Sequence, residues 1–170
     1  MNLSPHLSRL GVTEHHINHC RLPYEEEACT LADAGVDVFD RPLQMCPDTL
    51  DAWTGLQNAA ELDGITLQVV SAFRSVEYQC NLIQNKLDRG LKLDDILRVN
   101  AIPGYSEHHS GRALDLTTPD YPPLEIEFDT SPAFQWLLKN AESHSFYLSY
   151  PKGNAARIDY EPWHWAYKSS

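Results

Sequence analysis

The sequence predicts an α+β domain: a small antiparallel β-sheet with flanking helices. Three observations carry this. Apolar residues recur at helical spacing in several segments of 10–16 residues, β-branched runs lie between them, and the last two strand-like segments follow each other with no crossover helix. The 170 residues suit a single domain. Residues 48–168 hold the readable elements, and residues 1–46 read as a less regular N-terminal extension.

Within 1–46, short helical pieces near 12–19 and a strand at Val36–Phe39 are expected. A helix over 48–63 follows, capped by Asp48, with Leu50, Trp53, Leu56 and Ala60 on one face and Gly64 as its stop. Residues 65–73 are rich in β-branched side chains and read as a strand. Ser75 caps a helix running to Arg89. A loop with Pro103 and Gly104 leads to a strand at 113–118, where Asp115 shares a face with Ala113 and Thr117 while Leu114 and Leu116 face the core. Ser131-Pro132 opens a helix to His144, serine as cap and proline at the first helical position. Residues 146–150 and 157–167 close the sheet.

Composition removes several function classes. Thirteen basic against 24 acidic residues give a net charge of −11, which repels phosphate backbones, so no nucleic-acid partner is expected. No apolar run is long enough to span a membrane. The N-terminus shows no basic region followed by an apolar stretch, so a cytoplasmic location is expected for the chain as written. Cys20, Cys29, Cys46 and Cys80 form no CxxC pair and read as reduced thiols.

Two segments hold the chemistry. One is Ser106-Glu107-His108-His109-Ser110-Gly111-Arg112-Ala113-Leu114-Asp115, the other Glu161-Pro162-Trp163-His164-Trp165. Two histidines and an aspartate suffice for a catalytic zinc, and a glutamate outside the ligand set can handle the proton of an activated water. HExxH, the helical zinc motif, is absent. Taken singly, Asp115 reads better as an exposed strand aspartate and His164 as a satisfied structural histidine; the combination is what points to a metal. A flat strand puts Glu161 and His164 on opposite faces unless Pro162 bends the chain.

SEHHSGRALD resembles the SxHxxGxAxD motif, and EPWHW the ExxH motif, of VanY-type zinc D-alanyl-D-alanine carboxypeptidases, relatives of D-Ala-D-Ala dipeptidases, lysostaphin and the hedgehog domain. VVSAFRS at 69–75, Gln79 and FYLSYP at 146–151 match in order and spacing, so the resemblance covers residues 48–168. It implies a hedgehog/D,D-peptidase-like fold and one Zn²⁺ per chain on His108, Asp115 and His164. It also implies Glu161 as general base and Arg74 as the group that polarises the carbonyl. Ser106 and Gln79 would contact the peptide and its terminal carboxylate, with Tyr150 and Trp163 lining the pocket. The implied substrate is a peptidoglycan stem peptide, or its soluble precursor, ending in D-Ala-D-Ala. An L,D-carboxypeptidase, a D,D-dipeptidase and an L-Ala-D-Glu endopeptidase are the related alternatives, and a non-catalytic zinc-bound interaction domain is the alternative of another class. Ala166 stands where relatives have arginine and Ser145 where they have glycine, and the loop at Asn154–Asp159 departs from the pattern, so the acceptor pocket is where differences are expected.

Outside the motifs, His15, His16 and His19 read as a surface cluster, and His109 as pointing away from the site, towards a ligand's outer partners or solvent. Glu25-Glu26-Glu27 reads as a solvated acidic run and Arg112 as an exposed side chain.

Overall fold

Two short sheets and two clusters of apolar side chains organise the chain in the computed structural model, which describes residues 3–169. The elements run α1 (Ser4–Arg9), α2 (Glu14–His19), β1 (Ala32–Val36), β2 (Pro42–Met45), α3 (Pro47–Leu62), β3 (Gln68–Ser71), α4 (Val76–Asp88), α5 (Leu93–Ile96), β4 (Ala113–Thr117), α6 (Pro132–Asn140), β5 (Phe146–Leu148) and β6 (His164–Tyr167). β1 and β2 form a hairpin, and the main sheet has the order β3-β4-β6-β5, antiparallel throughout. No helix among the described residues is long and apolar enough to cross a membrane.

The alternation of β4 sorts its side chains as the sequence indicates. Leu114 and Leu116 are fully buried and join Leu56 of α3, Leu137 of α6, Phe146 of β5 and Trp165 of β6 in the larger core. α3 and α6 therefore cover one face of the sheet, and the other face, carrying Asp115 and His164, opens onto the cleft. Residues 3–46 take part in the packing. Leu7, Leu10 and Val12 bury themselves against Val76, Cys80 and Ile83 of α4 and Ile96 of α5, forming the second core beneath the cleft's helical wall.

Ser75 and Ser131 cap their helices, each hydroxyl accepting a backbone N–H at 3.0 Å, and Pro132 sits in the first turn. Other expectations need correction. Asp48 lies inside the first turn of α3, which starts at Pro47 with Cys46 as its cap residue. The strand expected at 36–39 is a hairpin turn: Asp37 Oδ1 accepts the N–H groups of Phe39 and Arg41, which locks a bend where β-propensity suggested extension. The third and last strands are shorter than expected, since 65–67 and 157–163 lack ladder partners. α1, α5 and the β1–β2 hairpin carry too few residues for a periodic signal. The four cysteines are free, with Cys80 buried.

Two stability predictions arise here. Burial alone would raise the Asp37 carboxyl, but hydrogen bonds from the Arg41 side chain (2.6 Å) and from backbone N–H groups outweigh it and hold the carboxyl below its ordinary value of 3.8. A depressed folded value contributes stability that is full above the unfolded pKa and lost as pH falls through the folded one. Asp37→Asn should flatten the fall in Tm below about pH 4 relative to the parent protein; parallel acid profiles would refute this. Ser145 ends a 3-10 turn in the left-handed region, φ 62°. Ser145→Gly should raise stability by about 1 kcal/mol in urea unfolding, since only glycine occupies that region without a Cβ penalty.

Candidate metal centre

Cross-strand register makes the first contact of the site. Asp115 of β4 and His164 of β6 are direct partners in the ladder, so both side chains rise from the same face, with Cβ atoms roughly 4.5–5.5 Å apart. His164 Nδ1 lies 3.1 Å from Asp115 Oδ1. The third member comes from a 3-10 turn, Glu107–Ser110, whose Gly111 closes it at φ 69°. A Cβ on Gly111 would meet Cys46 N and Sγ at 3.1 Å, so conformation and space both require glycine. The turn places His108 Nε2 3.2 Å from Asp115 Oδ2, and His108 Nδ1 donates to the Ala72 carbonyl at 2.6 Å, a bond that ties the turn to the end of β3.

The donor set fits a metal of zinc's class. The three candidate ligand atoms lie within 4.8 Å of one another, all on buried side chains. Ligands about 2.0–2.1 Å from a tetrahedral zinc stand roughly 3.3 Å apart, and each histidine nitrogen comes that close to one of the two Asp115 oxygens, His164 Nδ1 at 3.1 Å from Oδ1 and His108 Nε2 at 3.2 Å from Oδ2. His108 Nε2 is buried with no hydrogen-bond partner, an arrangement that costs free energy unless something ligates the nitrogen.

The electrostatics follow from burial and pairing. Burial and the Arg74 charge push the His108 imidazole down to about 4, so it is neutral, as a metal ligand must be. Burial alone would lower His164 too, but hydrogen bonds to Asp115 and Glu107 outweigh it and raise that imidazole to about 10 without a metal, so a metal binding there would have to displace the Nδ1 proton. Burial likewise opposes the Asp115 charge, and the two histidines overcome it and hold the carboxyl well below its usual range. Glu161 behaves in the opposite way. It is buried, its Oε2 is 3.7 Å from His164 Nδ1, and burial pushes its carboxyl up to about 7. Pro162 and Trp163 form a turn before β6, with the His164 N–H donating to the Glu161 carbonyl at 3.2 Å. That turn removes the opposite-face problem of a flat strand.

Every site residue expected from the motifs lines one cleft of about 290 Å³: His108, Asp115, His164, Glu161, Arg74, Ser106, Gln79, Tyr150 and Trp163. Arg74 leaves the end of β3 and brings Nη2 within 3.8 Å of Asp115 Oδ2. Its backbone is clamped on both sides, N–H donating to the His108 carbonyl and carbonyl accepting from His109 Nδ1 at 2.6 Å. His109 is thus fully buried and does not face solvent: Nε2 accepts the Gly104 N–H, and the ring braces the arginine's main chain. Gln79 donates to the Ala101 carbonyl at 2.9 Å. The Tyr150 ring lies 4.7 Å from the His164 ring; burial and the nearby Glu107 and Glu161 charges raise its hydroxyl well above the ordinary range, so it stays protonated.

The structure adds residues the motifs did not mark. Lys86, on α4 beyond Gln79, lines the cleft, its ammonium lowered by burial and by Arg74. Glu107, in a position the motif leaves free, places Oε2 2.9 Å from His164 Nε2. Glu27 is not merely solvated: its carboxylate accepts the Val76 N–H at the start of α4. Arg112 is exposed, as read from the sequence, and His15, His16 and His19 line a separate surface cavity.

Comparison with known proteins gives the family of the chain. The family model for VanY, D-alanyl-D-alanine carboxypeptidase, matches residues 42–170. YodJ of Bacillus subtilis (strain 168), which carries a carboxypeptidase name, is 31% identical over 124 residues, 71% of this chain and 45% of its own. A D-alanyl-D-alanine carboxypeptidase of Enterococcus faecium is 28% identical over 137 residues, 78% of this chain and 40% of its own. The chain thus spans less than half the length of these two relatives. Among solved structures, the LdcB LD-carboxypeptidase, described for its peptidoglycan recognition, superposes with a TM-score of 0.75 at 26% identity, covering 85% of this chain and 71% of that one. With the family model matched over most of its length, and the small antiparallel sheet with flanking helices shared with that structure, the chain belongs to the VanY D-alanyl-D-alanine carboxypeptidase family.

Proposed function

We propose that this chain is a zinc-dependent D-alanyl-D-alanine carboxypeptidase that removes the terminal D-Ala from a peptidoglycan-type stem peptide. The observation that carries the reading is the placement of Glu161: a buried carboxyl, raised to about 7, beside a two-histidine, one-aspartate cluster in a cleft that also holds Arg74. His108, Asp115 and His164 would hold the metal. A zinc ion held there would supply Lewis-acid chemistry, polarising a carbonyl and lowering the pKa of water.

The chain's own groups do the rest. Glu161 takes a proton from the attacking water as its oxygen bonds to the carbonyl carbon. It returns that proton to the leaving amine as the C–N bond breaks, a double use that a carboxyl near neutrality serves well. Arg74 donates to the carbonyl oxygen as negative charge builds there; main-chain hydrogen bonds to His108 and His109 fix the point from which its side chain enters the cleft. Ser106 and Gln79 orient the peptide end, and the protonated Tyr150 is a hydrogen-bond donor on the cleft wall.

A mass-spectrometric digest tests this. Zinc-loaded protein and Glu161→Gln are incubated with stem peptides ending in D-Ala-D-Ala or in a single D-Ala. Loss of one alanine from the pentapeptide alone, absent in the variant, is the expected result. Loss from the tetrapeptide would move the protein to the L,D class, a second reading that the likeness to LdcB supports. An internal cut would make it an endopeptidase. No cleavage, with one zinc bound per chain, would point to a binding domain.

A further inference from the structure

We propose that Glu107 is the positioning residue of the metal centre: by accepting the Nε2–H of His164, it holds that ring with Nδ1 aimed at the metal position. The inference rests on the metal-centre reading above. The two nitrogens of His164 face opposite partners. Nδ1 looks towards Asp115 (3.1 Å) and Glu161 (3.7 Å), while Nε2 lies 2.9 Å from Glu107 Oε2. A histidine ligates through one nitrogen, and the acceptor of its other N–H fixes both the tautomer and the ring's orientation.

His108 follows the same plan with a different acceptor, the neutral Ala72 carbonyl. The two imidazoles therefore differ in kind: a carboxylate partner makes His164 the more basic ligand. One 3-10 turn supplies both His108 and the group that holds His164, so it couples its own ligand to the ligand of β6 through adjacent residues.

Glu107 does not line the catalytic cleft. It forms part of the wall of a separate cavity of about 700 Å³, with Glu25, Cys46, Arg112 and Ala166. A peptide in the cleft would not meet it, which separates positioning from catalysis.

The test measures zinc affinity by competition with a chromophoric chelator, and the visible spectrum of the cobalt(II)-substituted protein, for the parent chain, Glu107→Ala, Glu107→Gln and Glu107→Asp. Glu107→Ala should bind zinc roughly 10–100-fold more weakly and shift the cobalt bands. Glu107→Gln keeps an acceptor oxygen at the right reach and should recover most of the affinity. Glu107→Asp keeps the charge but is one methylene short, and should bind more weakly than Glu107→Gln. That order marks a positional role, and it can be read even if the alanine variant fails to fold. Parent-like affinity and cobalt spectra in all the variants would overturn the proposal, as would aspartate binding better than glutamine, which would assign Glu107 a purely electrostatic effect. A parent chain that takes up no zinc would overturn the metal-centre reading and this inference with it.

Discussion

Glu161→Gln is expected to lower kcat on a D-Ala-D-Ala peptide by about 10²–10⁴-fold, the span general acid–base groups supply, while zinc stays bound at one per chain. The amide keeps the volume of a side chain that is 8% exposed, so the turn at 161–164 and the cleft wall should survive. What is lost is the ability to take a proton near neutral pH, because burial has raised this carboxyl to about 7 and an amide has no such equilibrium. D-alanine release at saturating substrate, beside metal content, checks the result. A kcat within tenfold of the parent, with zinc retained, would remove Glu161 from the mechanism.

Asp115→Ala should do more damage, and in two ways. Zinc affinity should fall by more than the roughly 10–100-fold typical of losing a group outside the ligand set, because a candidate ligand itself is gone. The metal-free protein should also lose about 3–5 kcal/mol, the usual cost of removing one partner from a buried charge pair. Asp115 is 4% exposed and stands against the raised His164 imidazole, His108 and Arg74, so its removal leaves buried positive charge without its nearest counter-charge. Zinc competition and urea unfolding of the metal-free protein measure the two losses separately. Unchanged stability without metal would mean the cluster contributes nothing to the fold before zinc arrives.

Some of this was legible from residue order because the signals are local. Ser75 and Ser131-Pro132 start helices through hydrogen bonds that span three residues. The alternation of ALDLT separates core leucines from Asp115 because a strand has a period of two. Glu107, by contrast, carries no local signal: its partner His164 is 57 positions away. His109 looked like a side chain turned from the site, and only the packing of residues 104 and 74 around its ring shows it as a buried brace. Glu27 sat in what read as a charge run, and its role as acceptor at the start of α4 depends on a contact 49 residues away.

The sequence by itself determined which residue types could form the site and which face of β4 presents Asp115, since ligand chemistry and strand periodicity are properties of residues and their near neighbours. Tertiary structure alone decided that Asp115 and His164 pair across the ladder, that a turn swings Glu161 onto the same side as His164, and that each imidazole meets a different acceptor. It also decided the protonation of the site: one histidine is driven down and the other up, and one carboxyl is held low while another rises towards neutrality. Those opposed shifts come from burial set against particular charges a few ångströms away, and such distances exist only once the strands have closed.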